Sequence, residues 1–380
     1  MRTKNLMLAM SALAIAGCSQ NEITEISPDA NPAVGFEVYT GVQTRGTETN
    51  TTSIQASADA GFGVLAYKTS SSGWATDGSA ATPGFMYNEH VYKEASTASK
   101  WKYDHLRFWP TNTDKLTFFA YAPYESAPSA GTAKGIKLSG QSEQGAPTIE
   151  FTVNTTKLTE MVDLVTDHDK KDKTSADGSI SFSFSHVLTR VLLKAKTNVN
   201  LGSDTRVYIK EIKISQTNQL YSKATYKFAD DTWAALSTPA YIADNQALSG
   251  NEGVLNLVTP TSNPAWGYNT SSILVNGDGT TATDLFKSGH ALYLIPVGGT
   301  TGLSAKGDVK LKVSYDIVTK VNDTTNVTSS VSDKAIDLPK DALAKGKSYT
   351  YTIIIGMNAV ELSGTVSNWT DATSSGSDLQ

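Results

Sequence analysis

Cysteine is almost missing from this chain, whose 380 residues hold one, Cys18. An internal disulfide and a cysteine-built metal site are therefore both excluded. Arginine is nearly as scarce, with five, at Arg2, Arg45, Arg107, Arg190 and Arg206. The net charge is -5, which supplies no basic footprint, so nucleic acid is not an expected partner. Charged residues make up 18% and hydrophobic residues 39%, the balance of a folded chain rather than a disordered one. Leu-rich helical stretches are few, while Thr, Ser, Gly and Asn crowd the sequence, which favours strands joined by turns.

Catalytic signatures are also lacking. No nucleotide-binding glycine loop, zinc-protease helix motif, serine elbow or kinase signature is present, so neither an enzyme nor a cofactor is expected. The five histidines, His90, His105, His168, His186 and His290, are scattered singly. His186 follows an alternating apolar run and reads as a structural histidine beside the core. His105, near Arg107 and Trp109, reads as part of a packed loop. The acidic stretch Asp163 to Asp172 is the best metal candidate, but it lacks the tight glycine turn of a calcium loop. Its lysines mark it as a solvated charged loop, and no metal is expected. Asn276-Gly277-Asp278-Gly279 reads as a turn. Among the six tryptophans, Trp74 in a Gly/Ser loop is the one best placed for exposure and sugar stacking.

At the N-terminus, Arg2 and Lys4 precede an apolar run from Leu6 to Ile15 that is too short for a comfortable membrane span. Ile15-Ala16-Gly17-Cys18 then matches a bacterial lipobox, so residues 1–17 read as a lipoprotein signal peptide. Lipid on Cys18 would bury enough methylenes for stable membrane anchoring. Residues 19–32 are polar and read as a tether. Val34, Phe36, Val38 and Val42 then fall on one face at period two, opposite Glu37, Tyr39 and Gln43, which is the pattern of a half-buried strand. Arg45 ends it, and residues 46–53 form a polar break.

Further strand-like runs are Phe62–Tyr67, Leu116–Tyr121, Ile180–His186, Val191–Ala195, Val207–Ile214, Ala291–Pro296, Val309–Val318, Tyr349–Ile355 and Val360–Val366. Short strands at roughly 8–12-residue spacing point to an all-β fold of mainly antiparallel sandwiches with Greek-key-type connections. The expected organisation is a tether with a first strand over 18–45, then two tandem β-sandwich domains over 46–188 and 189–380.

Several of these pieces together resemble the fimbrillin family of Bacteroidales lipoproteins, the subunits of type V pili. They are Ile15-Ala16-Gly17-Cys18, Thr44-Arg45-Gly46-Thr47, Leu106-Arg107-Phe108-Trp109-Pro110 and Leu116 to Pro123. Val162-Asp163-Leu164-Val165, Ile180 to Leu188, Leu343 to Tyr351 and Val366-Ser367-Asn368-Trp369 follow in order. The resemblance implies two transthyretin-like sandwiches, export as an outer-membrane lipoprotein to the cell surface, and later incorporation into a fimbrium. It also implies that an arginine-specific or trypsin-like protease cuts between Arg45 and Gly46, removing the Val34–Thr44 strand. A strand from another pilin subunit would then fill the vacated groove.

A shaft subunit must also donate a strand. Val360, Leu362 and Val366 alternate acceptably, but residues 370–380 are Ser/Gly/Asp-rich without alternating apolar residues. Either Val360–Trp369 is itself the donor, or the subunit only accepts and serves as a tip or accessory subunit. The competing reading is a non-polymerising surface lipoprotein or adhesin that binds a glycan or protein ligand of a host or bacterial surface through its loops.

Overall fold

The computed structural model describes residues 32–39, 48–250, 252–260, 265–298, 303, 307–339, 343–356 and 360–369. Cys18, Val42, Arg45 and Gly46 lie outside them, as do the signal peptide and most of the tether.

The first half contributes β1 (Phe36–Tyr39), β2 (Phe62–Thr69), β3 (Met86–Val91), β4 (Lys115–Ala122) and β5 (Ile136–Leu138). It continues with β6 (Thr148–Thr152), β7 (Val165–Lys173), β8 (Ile180–Ser183) and β9 (Ser185–His186). The second half opens with β10 (Thr189–Thr197), β11 (Thr205–Gln216), β12 (Tyr221–Lys227), β13 (Thr232–Ala234) and β14 (Ala240–Tyr241). Five short or long strands follow: β15 (Gln246–Ala247), β16 (Ile273–Val275), β17 (Thr283–Asp284), β18 (Leu292–Leu294) and β19 (Val309–Asn322). The series ends with β20 (Thr325–Asp337), β21 (Lys347–Ile355) and β22 (Val360–Asn368). Two helices of one turn each, α1 (Thr51–Ile54) and α2 (Trp74–Asp77), interrupt the β pattern.

The strands form five sheets: β1-β8; β3-β2-β4-β7-β9; β13-β12-β6-β5 with β14 on β12; β15-β11-β19-β20 with β16 on β11; and β17-β10-β21-β22 with β18 on β10. Pairing is antiparallel except for β1 with β8 and β10 with β21. The all-β expectation is met.

The β3-β2-β4-β7-β9 sheet is covered on both faces, and its sequence shows why. Val64 and Ala66 of β2, with Phe118 and Ala120 of β4, face one apolar cluster, while Leu65, Tyr67, Phe119 and Tyr121 face another. A strand buried on both sides needs apolar residues at every position, which explains the near-continuous runs rather than alternation. The first cluster lies between this sheet and β1-β8. The second runs on through β5, β6 and β12 into β10, β11, β19 and β21.

The expected division near residue 188 falls between β9 and β10, but hydrogen bonding crosses it. β12, from beyond that point, pairs with β6 in register Ala224↔Phe151 and Tyr226↔Ile149. β12 escapes a period-two reading because its pairing with β14 shifts register between Tyr221 and Lys223, and a bulge breaks the alternation. β20 escapes it because its side chains are mostly exposed and polar.

Residues 48–53, expected as a polar break, are instead well ordered by polar contacts. Asn50 caps α1 by accepting the Ser53 N–H at 3.0 Å, and Ser53 Oγ accepts the Asn50 N–H at 2.8 Å, a reciprocal capping arrangement. The acidic stretch Asp163 to Asp172, read as a solvated loop, largely forms β7. Ile180–His186 breaks at Phe184 into β8 and β9.

Candidate functional site

The first strand lies between two backbone edges. Along residues 32–34 it runs antiparallel to 107–109: Val34 donates its N–H to the Arg107 carbonyl at 2.9 Å, and Trp109 donates to the Pro32 carbonyl at 3.2 Å. From Gly35 onward it turns to β8, whose Ile180 N–H donates to the Gly35 carbonyl at 2.8 Å. Parallel register then runs from Phe36↔Ile180 to Tyr39↔Ser183. The Tyr103 hydroxyl donates to the Val34 carbonyl at 2.7 Å.

Of the expected inward face, the three described residues point inward and Val42 lies outside the described residues. Val34 is 1% exposed and Phe36 6%, Val38 packs at the edge of the cluster, and Glu37 faces solvent. Phe36 sits in an aromatic box, edge-on to Tyr103 at 5.3 Å and Phe118 at 6.0 Å and stacked on Phe182 at 5.8 Å between centroids. Burying two such side chains contributes roughly 1.5–3 kcal/mol each. Beside them Gly35 passes so close to Ser179 that an added Cβ would stand 2.7 Å from its Oγ.

β8 has its own support, independent of the first strand. Asp167 Oδ2 accepts the Ser183 N–H at 2.6 Å, and the Lys170 ammonium lies 3.3 Å from the same oxygen. A sequence reading missed this clamp, since Asp167 looks like one of several acidic loop residues.

Glu48 and Thr49 lie in a buried polar cluster. Asp163 Oδ2 accepts the Thr49 N–H at 2.8 Å, and the Thr49 hydroxyl donates to the Asp163 carbonyl at 2.5 Å. Asp163 also lies 3.0 Å from His186 Nδ1. Burial is the main reason its carboxyl is pushed above the usual range, with His186 and Thr49 opposing the shift and Glu48 adding to it. Glu48 is buried, accepts a hydrogen bond from Trp369 Nε1, and has Arg190 Nη1 3.6 Å away. The Trp369 indole stacks on the His186 ring at 3.9 Å and 8°. His186 is thus the structural histidine expected, within a network that joins residue 48 to the root of the last strand.

That last strand, β22, pairs antiparallel with β21 along its whole length and forms the edge of its sheet. Val360 and Leu362 are half-buried and Val366 is 61% exposed. Trp369, just past its end, is buried.

The remaining candidates are accounted for by packing, ion-pair or turn contacts. Trp74 is not an exposed platform: its ring packs edge-on to Tyr67 at 5.2 Å and Phe119 at 5.3 Å, and its backbone N–H donates to Asp172 Oδ1 at 2.7 Å. His105 is not in the packed loop expected: its side chain is 73% exposed and reaches Glu89 at 3.1 Å from a surface stretch. Asp278 accepts the N–H groups of Thr280 and Thr281 at 2.7 Å each, inside a turn. Among the described residues no group of three or more His, Cys, Asp or Glu could hold a metal ion, and no helix is long and apolar enough to cross a membrane.

Residues 44–369 match the family model described as fimbrillin-like. The chain is 48% identical to the fimbrium subunit Fim1C of Phocaeicola vulgatus, an alignment covering 99% of this chain and 98% of that protein. It is also similar to the crystal structure of a fimbrial protein from Bacteroides vulgatus, with TM-score 0.79 and 45% identity over 89% of this chain and 99% of that one. These likenesses extend over almost the full sequence, so the chain belongs to the fimbrillin-like family.

Proposed function

We propose that this protein is a structural subunit of a cell-surface fimbria, exported as an outer-membrane lipoprotein through lipid on Cys18. Cleavage between Arg45 and Gly46 removes its first strand, and a strand from another subunit replaces it. The observation that carries this reading is the placement of residues 32–39. They bury Val34 and Phe36 and pair by backbone first with 107–109 and then with β8, yet the chain on the far side of Arg45 is fixed separately through Glu48 and Thr49. A cut in residues 40–47 would leave the second attachment intact. The vacated groove would present apolar side chains between unpaired N–H and C=O groups, which an incoming strand can satisfy together.

The adhesin reading loses its best exposed aromatic, because Trp74 is packed against the core.

The test is limited digestion of the folded full chain with a trypsin-like protease, read by N-terminal sequencing and mass. The expected outcome is a new N-terminus at Gly46, release of a peptide ending at Arg45, and oligomers with other fimbrial subunits. Resistance of Arg45 in the folded protein, together with normal assembly of Arg45→Ala, would overturn the proposal.

A further inference from the structure

We infer that the groove selects its occupant by an aromatic side chain at the position of Phe36, and that the replacing strand comes from a different protein, not from Val360–Asn368 of a second copy. This rests on the strand-replacement reading above and names its partner by chemistry: an extended segment reading aliphatic, small, aromatic, any, aliphatic.

The present occupant spells out the requirement. Val34 fills a fully buried site, and Phe36 fills a box walled by Tyr103, Phe118 and Phe182. The walls are tied into the core beyond it: Phe182 packs edge-on to Phe62 at 5.6 Å, and Phe118 packs edge-on to Trp109 at 6.1 Å. They cannot close over a smaller side chain without disturbing their own contacts, so a smaller group leaves a void. Gly35 leaves little room for a side chain against Ser179. Val38, half-buried, makes the least demand.

β22 fails this requirement in every register. Its apolar face reads Val360, Leu362, Gly364, Val366, with no aromatic at any step, in either chain direction. Setting Leu362 in the box brings Glu361 or Ser363 against Ser179 and underfills the box. Gly364 would empty it, and Val366 would carry Gly364 or Asn368 into the Val34 site. The opposite face, Glu361, Ser363, Thr365 and Ser367, is polar throughout. Trp369, the aromatic next in line, already stacks on His186 and donates to Glu48.

The experiment uses the full chain processed at Arg45, with loss of the first strand checked by mass. A labelled peptide of residues 32–40 is bound, then displaced by the unlabelled peptide, by its Phe36→Leu version and by a peptide of residues 360–368. The expected result is that the Phe36→Leu peptide competes at least about tenfold more weakly, a difference of about 1.4 kcal/mol, that 360–368 competes more weakly still, and that the processed chain alone stays monomeric. Equal competition by 360–368, or self-assembly of the processed chain through that strand, would overturn the inference. If digestion releases no strand, the strand-replacement reading is what fails. The selection rule is then read in the uncleaved chain carrying Phe36→Leu alone. A lowered melting temperature supports the aromatic box as selector, and an unchanged one overturns it.

Discussion

The first strand and the last one make an instructive pair. Residues 34–38 and 360–366 both alternate apolar and polar residues, and both pair through their backbones with a single neighbouring strand over most of their length. Yet Phe36 is 6% exposed and Val366 is 61% exposed. The difference lies in what stands opposite. β1 faces a cluster built from Phe118, Phe182 and their neighbours. β22 lies at a sheet edge where only Val360 and Leu362 reach the core. Alternation states that one face is apolar; it does not state that anything covers that face.

Three measurements would break or sharpen this contrast. The largest effect belongs to Phe36→Ala, which should destabilise the uncleaved chain by about 3–5 kcal/mol, because the aromatic walls cannot collapse into the void. Leu362→Ala should cost on the order of 1 kcal/mol, since only part of its surface is buried. Urea unfolding of both variants decides the matter, and equal losses would erase the distinction between the strands.

A middle-sized effect is expected at the root of β22. Trp369→Phe keeps a ring over His186 but removes the N–H that Glu48 accepts, leaving that buried carboxylate short of a donor at a cost of about 1–3 kcal/mol. Hydrogen exchange across 360–368 should accelerate while exchange across 36–39 stays unchanged. Unaltered protection of 360–368 would show that pairing with β21 alone holds the strand.

The smallest effect is a pH slope. Because burial raises the Asp163 pKa in the folded state, its contribution to stability is fully present below the unfolded value, about 3.9. It is lost as pH rises through the higher folded value. Asp163→Asn should therefore flatten this part of the stability profile, measured by urea unfolding at closely spaced pH values. A profile that overlays the parent's would mean that His186 and Thr49 cancel the burial cost.

Much of the fold was legible in the chain. The double-sided burial of β2 and β4 is written in their unbroken apolar runs, and the inward face of the first strand in Val34, Phe36 and Val38. Other elements were not legible, for definite reasons. A register shift disguises β12, and β20 has little buried surface to leave a pattern. The sequence could pick out His186 as structural but not join it to Glu48, Asp163 and Trp369, which come from three other parts of the chain.

The sequence by itself determined that this is a β protein with no cysteine chemistry beyond Cys18, and that Arg45 follows a strand able to be buried on one face. Those properties depend on local periodicity and residue type, which neighbouring residues carry. Only the tertiary structure decided which alternating strand is covered, what shape of side chain its groove accepts, and where the chain is fixed again after Arg45. Each depends on residues far apart in sequence meeting in a low-dielectric interior. There an unmatched volume or an unpaired charge is costly, so partners are selected by geometry rather than by proximity along the chain.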